Sequence, residues 1–93
     1  MHLRIDRGTF DVATVYTIDA LLGGVAEALA GLPGHDHTHL GMDRVGGRSA
    51  VVTTWDTEEH ARFARDLLGD VGAKFWATHT AVEPPEVYFL GAG

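Results

Sequence analysis

Polar and apolar residues alternate at the start of the chain. Leu3 and Ile5, followed by Arg7, fall on one side, and His2, Arg4 and Asp6 on the other. That period of two predicts a first strand over residues 2–8. Gly8-Thr9-Phe10-Asp11 interrupts it, and Asp11 or Thr9 is placed to cap a helix by accepting a free N–H. Val15, Ile18, Leu22, Val25 and Leu29 then recur at steps of three and four, one face of a helix over residues 12–31. Its β-branched opening and Gly23-Gly24 predict irregularity at the start or near the glycines. Gly31-Leu32-Pro33-Gly34 stops it. His35 to Asp43 is expected as a second strand, Val45-Gly46-Gly47-Arg48 as a tight hairpin turn, and Ser49 to Trp55 as a third strand.

Asp56 and Glu59 have the spacing of a capping box and open a second helix. Its inward stripe is His60, Phe63, Ala64, Leu67 and Val71, and Gly69 and Gly72 limit it. Phe75 to Val82 is expected as a fourth strand. Glu83-Pro84-Pro85-Glu86 breaks the ladder, and Val87-Tyr88-Phe89-Leu90 resumes an extended course.

The order β-α-β-β-α-β predicts an α+β, ferredoxin-like split βαβ domain spanning residues 1–93, an antiparallel sheet with both helices on one face. The other face is left bare, and a second copy is the economical cover, so a homodimer is expected, with the hydrophobic tail 87–90 crossing to or packing on the partner. Seven basic against 13 acidic side chains give a net charge of −6, which argues against nucleic-acid and anionic-membrane surfaces. Cysteine is absent, which removes disulfides and thiolate chemistry. No apolar run is expected to reach a membrane span and no signal-peptide core is seen, so a soluble cytoplasmic protein is expected.

Leu32-Pro33-Gly34 before the second strand, the segment from Val51 through Trp55-Asp56-Thr57-Glu58-Glu59 to Ala61, and the element order resemble the dimeric α/β-barrel superfamily, in particular antibiotic-biosynthesis-monooxygenase-like domains. The resemblance covers most of the chain and implies a ligand cleft between helices and sheet. Trp55 matches the pocket tryptophan of the quinone-forming monooxygenases. Their Asn four residues earlier and Tyr six residues later are Val51 and Ala61 here. The Asn, Trp and His of the haem-degrading members fall near Asp6 and at Ala64 and Ala73.

Within that cleft, His60 on the inward stripe is the candidate base, since an imidazole titrating near pH ~6.5 suits proton abstraction from a phenol or enol. Trp55, Trp76 and Phe63 are candidate walls for a planar substrate, and His79 and Asp6 are candidate polar contacts. Tyr16 could offer its hydroxyl, and Gly23-Gly24 could clear space for a ligand or let helices pack closely. His35, His37 and His39 alternate along one strand, which would put them on one face about 7 Å apart, with Asp36 on the other. An edge strand made polar is the expectation there, with no bound metal and no organic cofactor. The resulting reading is a cofactor-independent monooxygenase-like or cyclase-like enzyme acting on a hydrophobic aromatic or polyketide-type metabolite. The alternative is a non-catalytic dimeric module binding a small molecule or haem.

Overall fold

The structure, a computed structural model, describes residues 1–91. β1 (His2–Phe10) is followed by a 3-10 turn (Val12–Thr14) and α1 (Val15–Ala30). Asp11 accepts from the Ala13 N–H at 3.0 Å, and the helix is irregular at its β-branched opening, as its sequence predicts. β2 (His35–Asp43) and β3 (Arg48–Trp55) form a hairpin. At its turn Gly47 takes φ +68°, a conformation costly for any side chain, and its N–H reaches the Asp43 carbonyl at 2.9 Å. α2 (Glu58–Ala61) is a single turn, followed by a 3-10 turn (Arg65–Leu68) and α3 (Gly69–Ala77). β4 (His79–Val82) and β5 (Glu86–Phe89) complete the order.

The sheet runs β2-β3-β1-β4, all neighbours antiparallel, and β5 lies along the same side of β1. β4 faces residues 8–10 and β5 faces residues 2–5. Arg4, Asp6, Gly8 and Phe10 share the inner face with Ser49, Val51, Thr53 and Trp55, and all are buried beneath the helices. Ile18, Val25 and Leu29 of α1, with Leu68 and Phe75, close the core. Leu3, Ile5 and Val52 lie on the opposite face, half-buried, with Tyr88 exposed beside them.

Four expectations are corrected here. The second helix is not continuous, because Arg4 draws in the carbonyls of Ala61 and Phe63, acceptors that a continuing helix would give to its own next turn. Leu67, expected on the inward stripe, is therefore exposed, while Leu68 is buried. Thr57, not Asp56, caps α2, accepting from the His60 N–H at 3.1 Å. Residues 75–77 are helical, so Trp76 stands on α3 and the fourth strand is only His79–Val82. The tail joins its own sheet rather than crossing to a partner, and the Leu90 N–H donates to the Met1 carbonyl at 3.0 Å, while Tyr88, Phe89 and Leu90 keep exposed side chains.

The expectation about apolar length is also revised. Val12–Ala30 spans 19 residues of mean hydropathy 1.4, enough by length and composition to cross a membrane. In the fold its Ile18, Val25 and Leu29 pack into the core.

Candidate functional site

β1 carries opposite charges two residues apart on its inner face. Arg4 and Asp6 are exposed by only 1% and 3%. Arg4 donates from Nε to Asp6 Oδ2 at 2.9 Å and from Nη2 to Oδ1 at 3.1 Å, while its Nη1 serves the Ala61 and Phe63 carbonyls. Its guanidinium lies 3.7 Å over the Phe63 ring. From the broken-helix segment Arg65 donates to Asp6 Oδ1 through Nε at 3.0 Å and Nη2 at 2.9 Å, and to the Glu83 carbonyl at 2.7 Å. Arg65 also lies 4.8 Å from the Trp76 ring. Taking a charge out of water costs several kcal/mol, and this mutual pairing is what keeps all three ionic groups inside.

His79 is the second polar feature. A carbonyl can only accept, so the 2.8 Å contact between His79 Nδ1 and the Phe75 carbonyl puts the proton on Nδ1. Nε2 of the neutral ring then accepts from Ser49 Oγ at 2.7 Å. Burial lowers the His79 pKa, partly opposed by the Phe75 carbonyl, so the ring favours its neutral form. Gly8 makes the space: a Cβ there would meet His79 Cδ2.

The residues singled out in the sequence divide into those that meet and those that do not. Asp6, Phe63 and Trp76 line one small cavity with Arg65, Leu68 and Val25, between the helices and the sheet. Its volume is about 10 Å³, room for one water at most. His79 stands next to it, 5.1 Å from the Trp76 ring. Trp55 is fully buried one layer behind Phe63, with ring centroids 5.0 Å apart, and its indole N–H donates to Thr53 Oγ1 at 2.8 Å. His60 does not border the cavity. Its Nδ1 is 2.7 Å from Asp56 Oδ1 at the surface, and this contact holds the Asp56 carboxyl below its usual range.

The cleft expected between helices and sheet is thus reduced to this small cavity, with Trp55 in ring contact with Phe63 and Arg4 over the Phe63 ring. Gly24 serves helix packing, since a Cβ there would meet Val71 Cγ2. Tyr16 is 81% exposed and away from the cavity.

The three-histidine strand is corrected as well. A register shift between His35 and His37 turns His35 onto the inner face, edge-on to Trp55 at 5.4 Å, and leaves His37 on the outer one. Asp36 joins His37 there rather than opposing it, accepting from its Nδ1 at 2.8 Å and from Thr54 Oγ1 at 3.0 Å. Among the described residues no three or more His, Asp or Glu side chains are grouped to hold a metal. A larger cavity of about 380 Å³ opens among Arg7, Thr9, Gly41, Arg48, Ala50 and Ala81. No histidine lines either cavity, so neither fits a histidine-ligated haem.

Sequence reasoning missed Arg4, Arg65 and Ser49. The signal for the first was present: Arg4 and Asp6 are opposite charges at the i, i+2 spacing of one strand face, framed by Leu3 and Ile5. Arg65 sits in an apparently helical stripe and carried no such mark.

An antiparallel sheet with helices packed on one face, joined by buried ionic groups, places the chain in the ferredoxin-like α+β class. No family model and no curated protein matches the sequence. Among solved structures, a candidate antibiotic biosynthesis monooxygenase from Deinococcus radiodurans superposes with a TM-score of 0.76 at 17% identity, covering 100% of this chain and 95% of that one. A second candidate antibiotic biosynthesis monooxygenase, from Chloroflexus aurantiacus, gives 0.71 at 17% identity, covering 99% and 94%. SnoaB, a cofactor-independent oxygenase from Streptomyces nogalater, gives 0.70 at 14% identity, covering 99% and 94%. The chain has the fold of the antibiotic-biosynthesis-monooxygenase-like proteins.

Proposed function

We propose that the protein is a soluble cytoplasmic homodimer that binds a small aromatic or polyketide-type molecule between its helices and sheet and oxygenates it without an organic cofactor. The observation that carries this reading is the meeting of Asp6, Phe63, Arg65 and Trp76 at one cavity, in a fold shared with a cofactor-independent oxygenase. The indole N–H of Trp76 is buried without an acceptor, a vacancy that a phenol oxygen would fill. The substrate would supply the electrons itself. An electron-rich phenolate reacts with O₂, one oxygen atom ending in a ring carbonyl and the other in water. The chain's own part is desolvation, orientation and proton removal.

His79 replaces His60 as the proposed base: it is neutral and half-buried, stands against Trp76 at the edge of the cavity without lining it, and its Nε2 is the unprotonated nitrogen. Phe63 and Trp76 are the walls, with Trp55 supporting Phe63. The partner copy would cover Leu3, Ile5, Val52 and Tyr88. The test is oxygen uptake with a dihydroxyanthracene-type phenol. His79→Gln should lower turnover by about 10²–10⁴, the usual span for a general base. An equal loss in His60→Ala with none in His79→Gln would overturn this assignment.

Val51 and Ala61, standing where the quinone-forming monooxygenases carry a polar Asn and Tyr, favour a second reading, a dimeric binding module with no turnover. A co-purified molecule without oxygen uptake would support it.

A further inference from the structure

The Arg4–Asp6–Arg65 cluster holds two guanidinium groups against one carboxylate, and among the described residues no other carboxylate pairs with either cation. One positive charge is therefore left over in a partly buried site. The two arginines are not equivalent. Arg4 is only 1% exposed, grips both Asp6 oxygens and is tied to two carbonyls, so it cannot leave without uncovering all of them. Arg65 is 26% exposed, and both of its bonds to Asp6 go to the single atom Oδ1. If Arg65 turns away, Arg4 still neutralises Asp6.

Arg65 lies over the face of Trp76, whose indole N–H is buried without an acceptor, and both side chains line the inner cavity. Arg65 belongs to the stretch from Arg62 to Leu68, between α2 and α3, which contains no α-helix. An excess cation that can be released, a free donor and aromatic faces share one place. An anionic group on a flat ring satisfies all three.

We propose that this site selects aromatic molecules bearing a carboxylate, with Arg65 as the specificity residue. The anion takes the Arg65 guanidinium in exchange for Asp6 and accepts from Trp76 Nε1, while its ring lies between the Phe63 and Trp76 walls. The Arg62–Leu68 segment moves outward to admit it. This inference rests on the binding place proposed above and adds the charge of the ligand.

The test is calorimetric titration of the full chain with anthracene-9-carboxylate and with its neutral counterpart anthracene-9-methanol. Charge-assisted hydrogen bonds to one guanidinium predict a preference for the carboxylate of about 10- to 100-fold. Arg65→Gln should abolish the preference. Arg65→Lys should restore part of it, because a point charge remains without the planar fork. Trp76→Phe should weaken carboxylate binding while leaving the stacked ring. Circular dichroism checks each fold, and if Arg65→Gln does not fold, the lysine and phenylalanine variants carry the test.

Equal affinity for acid and alcohol, no binding of either at millimolar concentration, or a preference that survives in Arg65→Gln would overturn the proposal. Oxygen uptake with the dihydroxyanthracene phenol, measured in parallel, separates the two readings. Uptake without a carboxylate preference removes the anion site and leaves the oxygenase standing. A preference without uptake does the reverse.

Discussion

Replacing Asp6 by Asn removes a charge and almost no volume, so it isolates the electrostatics of the buried cluster. In the native chain Asp6 accepts two hydrogen bonds from Arg4 and two from Arg65, at 2.9–3.1 Å. An amide keeps one accepting oxygen and turns an N–H₂ toward guanidinium N–H groups. At least one arginine then loses its partner, and two cations are left uncompensated. Removing one member of a buried ion pair costs about 3–5 kcal/mol. A chain of this length has roughly 5–14 kcal/mol of total stability, so Asp6→Asn should consume about a fifth of it or more. At about 4–8 °C per kcal/mol for a domain this small, the melting temperature should fall by more than ~10 °C.

Urea unfolding followed by circular dichroism and by the fluorescence of Trp55 and Trp76 measures the loss. The triple replacement Arg4→Met, Asp6→Leu, Arg65→Met should recover part of it, because an apolar set of similar size carries no desolvated charge, although it leaves the Ala61 and Phe63 carbonyls without their donor. A shift under ~1 kcal/mol in Asp6→Asn, or a triple variant no better than the single, would refute the assignment of stability to this cluster.

Three further outcomes are expected. Gly8→Ala should destabilise the chain by about 1–3 kcal/mol, since the new methyl displaces the His79 ring and its Ser49 bond; an unchanged melting temperature would count against that packing. Because burial lowers the His79 pKa, the unfolded chain takes up a proton first as pH falls through about 6.5, so stability is full above that pH and declines below it. Urea midpoints from pH 8 to 5 should show a shallower decline in His79→Gln, and parallel wild-type and variant curves would contradict this. Ile5→Asp on the outer face should convert a dimer to monomer in sedimentation, whereas a wild-type chain already at 10.0 kDa in micromolar solution removes the dimer.

The first three strands and α1 were legible because their periods of two and of three to four persist over nine, eight and sixteen residues. The second helix was not. His60, Phe63, Ala64, Leu67 and Val71 keep helical spacing, but Arg4, some sixty residues earlier, competes for the backbone carbonyls between them. No local pattern encodes a long-range donor of that kind. Likewise the bulge at His35–His37 exchanges the faces of one histidine and one aspartate, and a one-residue shift leaves no mark in composition. Asp6, Phe63 and Trp76, singled out in the sequence, meet at one cavity, though Trp76 was expected on a strand. His60 was expected to face inward, but in the short α2 it is Ala61 that is buried, and His60 turns to Asp56.

β1 is the central thread of the sheet, yet its neighbours lie at residues 48–55 and 79–89. During synthesis it is made before any of these partners and has none of them to pair with until some forty residues have followed. Its second flank is completed only when Glu86–Leu90 leaves the exit tunnel and binds back as far as Met1. Until then the Arg4 and Asp6 side chains remain hydrated, and Leu3, Ile5 and the unpaired side of β1 stay open to other nascent chains. Pairing on both flanks of β1 therefore waits for Glu86–Leu90, and a chain truncated a few residues before Glu86 should be far more easily cleaved by protease than the full one.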